Sequence, residues 1–184
     1  MRRIIWLLLI CPVIIGCEVT NPKPQPRTET EQEMFGPSAM RLHPVFTQVK
    51  DWTGEGKPDG IEVMLEFQDQ FADPTKASGK VVFELFEFQK LSPDPRGKRL
   101  VNPWIGDLTT IEEQRARWNR TSRTYSFQLV YPQISPRRAY VLTATFDLAS
   151  GGRFFDRLVI GAKPEEPGSA TPPNSPPPRQ PEQP

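Results

Sequence analysis

Apolar and polar residues alternate through the middle of the chain with a period of two, which is the pattern of β-strands that bury one face. The alternation predicts strands over residues 61–68, 80–88, 125–130, 140–147 and 154–160. Another strand is predicted over residues 45–50, and Pro44 is compatible with it because the start of a strand needs no ladder donor. The segment 80–88 is apolar on both sides, so we expect both faces of that strand to be covered.

One segment departs from this period and predicts a helix of two to three turns, inserted between strands. It spans residues 109–118, in which Thr110 and Glu113 have the spacing of a capping box. One face of this helix would carry three side chains, those of Ile111, Arg115 and Trp118. We expect Trp118 to dock on the neighbouring sheets.

Short, mostly antiparallel strands separated by turns predict a mainly β fold, a single antiparallel β-sandwich with one short inserted helix. Residues 79–88, 125–129 and 140–147 resemble strands of immunoglobulin-like, fibronectin-like and transthyretin-like modules of secreted proteins. Residues 59–63 and 104–118 are similar to segments of small uncharacterised lipoproteins of planctomycete-type bacteria. The second resemblance implies no activity.

The start of the chain has the features of a secretory signal peptide. Two arginines precede an uncharged run over residues 4–16, which would span only about 20 Å as a helix, against about 30 Å of hydrocarbon core. The run ends in Ile14-Ile15-Gly16-Cys17, which resembles the lipobox of bacterial lipoproteins. That resemblance implies a diacylglycerol on the Cys17 thiol, cleavage before Cys17 and an acylated new amino terminus. The alternatives are an ordinary signal peptide with Cys17 as a free thiol, or an uncleaved anchor.

Proline is unevenly distributed and marks the boundaries of the domain. Of 22 prolines, nine lie in residues 164–184 and four in residues 22–37. Such segments favour extended polyproline structure and bury little apolar surface. We therefore predict four regions: a signal peptide at 1–16, the lipidated cysteine and an extended tether at 17–40, the β-sandwich at 41–162, and a disordered tail at 163–184. The tail is either an inert end, a spacer or a ligand for a proline-reading partner.

The composition offers little for catalysis. The single histidine, His43, and two cysteines exclude a disulfide framework, a His/Cys zinc site and any Ser–His or Cys–His machinery not built on His43. Glu62 and Glu66 lie four residues apart on a strand, about 13 Å from each other, which is too far for a glycosidase pair. We predict a protein that is not an enzyme and needs no cofactor. Residues 51–60 resemble a degenerate calcium loop, or else form a polar hairpin loop.

Charge divides the chain into an acidic and a basic part. Residues 18–95 carry 14 acidic and 8 basic side chains, whereas residues 96–163 carry 5 acidic and 12 basic ones. The candidate site for an anionic ligand is a face formed by four arginines of the basic part, Arg120, Arg123, Arg137 and Arg138. The alternative is that these arginines pair across the sheets with the acidic part.

These observations predict an exported lipoprotein, anchored to a membrane through acyl chains on Cys17. Its β-sandwich would act as a binding or structural module in the cell envelope, with an envelope protein or an anionic polymer as partner. The alternative is a non-catalytic accessory subunit of an envelope enzyme or transport complex. We expect no nucleic acid as a partner, because the domain would lie on the exported side of a membrane. Glu18 leaves the choice between inner and outer membrane open.

Overall fold

The computed structural model describes residues 34–162; the predicted signal peptide, most of the predicted tether and the predicted C-terminal tail lie outside them. Eleven strands and one helix of seven residues are distributed along this part of the chain. The elements are β1 (Ala39–Leu42), β2 (Gln48–Lys50), β3 (Gly60–Gln68), β4 (Pro74–Thr75), β5 (Gly79–Phe88), β6 (Arg96–Arg99), β7 (Trp104–Asp107), α1 (Ile111–Arg117), β8 (Trp118–Asn119), β9 (Thr124–Val130), β10 (Ala139–Leu148) and β11 (Arg153–Gly161).

The first sheet is built around β3. Strands β1 and β2 pair with one edge of β3, and β9 and β4 pair with the other edge. β8 extends the sheet beyond β9, where Trp118 lies opposite Tyr125. All of these pairings are antiparallel.

The second sheet is built around β5 and β10. These long strands pair over nine residues, from Tyr140 opposite Glu87 to Leu148 opposite Gly79. β11 pairs with the other side of β10 through a tight turn in which Gly151 and Gly152 have φ angles of 94° and 97°. Such angles favour glycine, and a pair of glycines is typical of the tight turns of β-hairpins. β6 and β7 pair with the free side of β5.

The two sheets face each other across an aromatic core, which confirms the predicted β-sandwich. Phe67 of the first sheet lies 4.7 Å from Phe146 of the second, between ring centroids, in an edge-to-face arrangement. Phe83 and Phe127 make the same kind of contact at 5.0 Å. Every second side chain of β3 faces inward. These side chains are completely buried, and they belong to Ile61, Val63, Leu65 and Phe67. The period-two pattern therefore identified the core face correctly.

The predicted first strand, 45–50, is confirmed over residues 48–50 and wrong over residues 45–47. Residues 43–47 form a turn, and only β2 falls within the predicted strand 45–50. In this turn the Thr47 N–H donates to the His43 carbonyl, and the buried Thr47 hydroxyl accepts the Met64 N–H. The unpredicted strand β1 begins at Ala39, two residues before the predicted start of the domain. Its apolar residues are too few for a period to be recognised.

The expectation that both faces of β5 are covered is also wrong for the described residues. Its inner side chains are buried, but its outer side chains stay partly exposed. On this outer side Val82 lies opposite Ile105 of β7 and Thr145 of β10. Ile105 and Phe155, at the two margins of this row, are 74% and 54% exposed.

Candidate functional site: a cationic cavity beside the helix

A cavity of about 470 Å³ lies where α1 meets the first sheet. This volume is within the range of small-molecule sites. The cavity is lined by side chains from the helix, from strand β8 and the turn after it, and from the segment that leads from β4 to β5: Lys76, Ile111, Gln114, Arg115, Trp118 and Arg120. Three of these six residues are cationic.

The helix is held in place by its cap and by one glutamine. The Thr110 hydroxyl accepts the Glu113 N–H, as the capping-box spacing predicted. The Gln114 amide donates to the carbonyls of Ala77 and Leu108, at 2.7 Å each. It also accepts a hydrogen bond from the Tyr125 hydroxyl. Gln114 therefore fixes α1 to both the segment before β5 and the first sheet.

Tyr125 and Trp118 form the floor beneath the helix. Burial raises the pKa of Tyr125 to about 12, although its hydrogen bonds to Ala77 and Gln114 act in the opposite direction. The Trp118 ring packs edge-to-face on Tyr125, with centroids 4.9 Å apart, so the predicted docking of Trp118 on the sheets is confirmed. The Lys76 ammonium lies 5.0 Å from the centroid of the Trp118 ring, a cation–π contact.

The three cations of the cavity are not neutralised by the described residues. Within residues 34–162, no carboxylate lies within 4.0 Å of the side-chain nitrogens of Lys76, Arg115 or Arg120. The neighbouring Arg117, in contrast, pairs with Glu113 at 2.7 Å and lies over the ring of Phe127. The cavity can therefore offer exposed guanidinium and ammonium donors to an anionic group.

The predicted face of four arginines does not form. Arg120 and Arg123 precede β9, whereas Arg137 and Arg138 follow it, and β9 is a seven-residue strand about 23 Å long. The two pairs therefore lie at opposite ends of the sandwich. Arg138 pairs with Glu87 at 3.2 Å, which is the pairing with the acidic part that the sequence left as the alternative. The strand between the two pairs is what separates them.

Sequence reasoning found part of the cavity that does form. The spacing of Ile111, Arg115 and Trp118 predicted a shared helix face. The helix ends at Arg117 and Trp118 begins β8, so the predicted helix was too long, but all three residues line the cavity. Arg120 was among the predicted anion-binding residues. Lys76 was missed, because it lies far from the helix in the sequence and no local pattern indicates that it contributes to the cavity.

The loop between β2 and β3 uses its carboxylates internally. Asp51 accepts the N–H groups of Gly54 and Gly56, both at 2.7 Å, and Asp59 accepts the N–H of Trp52 at the same distance. Desolvation raises the pKa of Asp51, but the hydrogen bonds from Gly56 and Gly54 outweigh it and hold the pKa below its ordinary value. This arrangement favours the polar hairpin loop over the calcium loop.

The other residues considered for chemistry have structural partners. His43 Nδ1 accepts the N–H of Val45 at 3.3 Å, and its ring stacks on Phe46. Glu66 accepts two hydrogen bonds from the Arg41 guanidinium. Desolvation raises the pKa of Glu66, but these hydrogen bonds outweigh it, so the pKa lies below its ordinary value. Within residues 34–162, no three His, Cys, Asp or Glu side chains are grouped as a metal site would require.

Comparisons with protein-family models, with curated proteins and with solved structures find no match to this chain. Among the described residues, no helix combines the length and apolar character needed to cross a bilayer.

Proposed function

We propose that this protein is an exported lipoprotein, anchored to a membrane through acyl chains on Cys17, with its β-sandwich on the exported side. The support is the order of features at the start of the chain: a basic start, an uncharged run over residues 4–16, and Ile14-Ile15-Gly16-Cys17. Two or three acyl chains hold a protein on a membrane stably, whereas one binds only marginally.

The sandwich itself acts in the cell envelope as a non-catalytic binding module that recognises an anionic group. The observation that carries this proposal is the cationic cavity, in which Lys76, Arg115 and Arg120 have no carboxylate partner among the described residues. An anionic ligand in the cavity would find guanidinium and ammonium donors that no carboxylate of the described residues already holds.

Metabolic labelling tests the anchor. Labelled palmitate should enter the protein in its host, and Cys17→Ser should abolish the label and leave an uncleaved precursor. Cys11→Ser provides the matched control, because it removes the other cysteine and should leave labelling and processing unchanged. Persistent labelling of the Cys17→Ser variant would contradict the anchoring.

Titration with glycerol phosphate tests the binding cavity. The chain from residue 17 to its end, carrying Cys17→Ser, retains every described residue and serves as the soluble protein. A cavity variant replaces Lys76, Arg115 and Arg120 with Ser. A matched control variant replaces three exposed cations outside the cavity with Ser as well, those of Lys57, Lys90 and Arg137. We expect saturable binding in the soluble protein and the control variant, and none in the cavity variant; equal binding by both variants would disprove the site.

The alternative, an accessory subunit of an envelope complex, is supported by the outer face of the second sheet. There Ile105, Phe155 and Val159 are 74%, 54% and 41% exposed. An exposed apolar sheet face is typical of a protein–protein contact. If the protein works in this way, Ile105→Ser with Phe155→Ser should release a specific partner during purification from the host, while the cavity variant should retain it.

A further inference from the structure

The N-terminal side of the domain carries an exposed pair of aromatic rings. Phe35 and Phe71 are 63% and 61% exposed, and their ring centroids lie 6.5 Å apart. Phe35 is fixed to the domain because its carbonyl accepts the Thr75 hydroxyl at 3.2 Å. The chain from Cys17 therefore reaches the sandwich beside two exposed phenylalanines.

The cationic cavity lies at this same end of the sandwich. Lys76 directly follows Thr75, and the pairing of Gln68 with both Ala39 and Pro74 places the start of β1 and the loop 69–73 together. The loop 120–123 joins β8 to β9 and lies beyond the same end of β3, because Tyr125 pairs with Leu65. We call this end, with Phe35, Phe71, Lys76, Arg115, Arg120 and Arg123, the Phe35 end.

Carboxylates near the Phe35 end differ in their partners, and Asp73 and Glu112 are exposed without an ion pair among residues 34–162. Asp69 accepts the N–H groups of Phe71 and Asp73, and Glu113 pairs with Arg117. The cations of the cavity lack such partners within residues 34–162, so an anionic surface meets positive groups that do not first have to break an ion pair.

We propose that the Phe35 end docks on an anionic phospholipid bilayer, the one that holds the acyl chains of Cys17; this deepens the proposed function and rests on it. Aromatic rings are favoured at the membrane interface, and basic side chains beside them bind acidic headgroups. Residues 18–33 lead from Cys17 into the domain beside Phe35, at this end of the sandwich. Residues 18–33 number 16 and can span at most about 55 Å, so the tether keeps the Phe35 end within reach of the surface.

Docking orients the domain relative to the membrane. The Phe35 end meets the lipid, and the loop 51–59 and residues Arg137 and Arg138 at the opposite end point away from it. The acyl chains supply the anchor, and the cations and phenylalanines supply a second, reversible contact that depends on lipid charge.

Vesicle binding by the soluble protein, the chain from residue 17 with Cys17→Ser, tests docking without the anchor. Vesicles of phosphatidylcholine alone are compared with vesicles that contain phosphatidylglycerol. An environment-sensitive dye is attached through Thr121→Cys at the Phe35 end, or through Glu55→Cys at the opposite end; both residues are exposed. We expect flotation only with the anionic vesicles, loss of binding in high salt, and a spectral shift of the dye at position 121 but not at position 55.

The variants defined above identify the groups responsible. The cavity variant should bind anionic vesicles about tenfold more weakly or worse, whereas the control variant, with the same loss of charge, should bind as the parent protein does. Phe35→Ser with Phe71→Ser should also weaken binding without altering the titration with glycerol phosphate. Equal weakening by the cavity and control variants, or a spectral shift at position 55 alone, would overturn docking at this end.

These outcomes separate the two proposals. If glycerol phosphate binds in the cavity but the anionic vesicles do not bind, the cavity recognises a soluble anion and membrane docking is wrong. If palmitate labelling fails while vesicles bind, the acyl anchor is wrong and the membrane contact of the domain stands.

Discussion

Asp156 Oδ2 accepts the backbone N–H of Leu42 at 2.7 Å and thereby joins the edges of the two sheets. Leu42 ends β1 at the margin of the first sheet, and Asp156 lies in β11 at the margin of the second, 114 residues away. The other oxygen of the same carboxylate accepts the Arg157 N–H at 2.8 Å. A charge that points inward from an edge strand also disfavours pairing of that edge with another chain.

Asp156→Ala should destabilise the domain. It leaves the Leu42 N–H without its charged acceptor, and loss of such a hydrogen bond costs about 1–3 kcal/mol. Urea unfolding of the parent and variant measures the difference, with the exposed Glu55→Ala as control. An unchanged unfolding midpoint in Asp156→Ala would show that the bridge between the sheets contributes nothing to stability.

Phe67→Ala should be among the most damaging single changes. The Phe67 ring is fully buried and contacts the rings of Tyr125 and Phe146, so its removal leaves a cavity between the sheets. Such truncations cost about 3–5 kcal/mol. The control Phe155→Ala removes a ring that is 54% exposed and should lower the free energy of unfolding by only about 1 kcal/mol. Similar values for the two variants would argue against this core.

Tyr125→Phe should change how stability depends on pH at the alkaline end. The pKa of Tyr125 is raised from 10.0 to about 12 in the folded protein, so its neutral form is favoured by folding. That contribution is complete below about pH 10 and is lost as the pH rises through about 12. The difference in unfolding free energy between parent and variant should therefore be constant up to about pH 9 and then shift, with the parent losing stability relative to the variant. A constant difference up to about pH 12 would contradict the raised pKa.

Calcium should leave the melting temperature unchanged. The carboxylates of Asp51 and Asp59 accept N–H groups of their own loop, so a cation would have to displace those hydrogen bonds. Thermal unfolding with millimolar calcium and with a chelator provides the measurement. A rise in the melting temperature with calcium that is absent in Asp51→Asn would restore the calcium-loop interpretation.

Sequence alone determined the fold class and most of the strands, because those features follow from local periodicity. The alternation in β3, β5, β9, β10 and β11 places side chains on opposite faces whatever the partner strand is. The capping box of Thr110 and Glu113 acts within one turn and was equally visible. The run Ile14-Ile15-Gly16-Cys17, which resembles a lipobox, is likewise a local pattern, and the expectations built on it stay predictions.

Tertiary structure decided which charged residues share a surface. Arg120 and Arg137 are close in the chain, but a strand of about 23 Å separates them, because an extended strand carries its two ends far apart. Lys76 and Trp118 are distant in the chain, yet the segment from β4 to β5 places the Lys76 ammonium 5.0 Å from the centroid of the Trp118 ring. The cavity and the Asp156–Leu42 bridge both depend on the register between strands far apart in sequence, and no local pattern encodes that register.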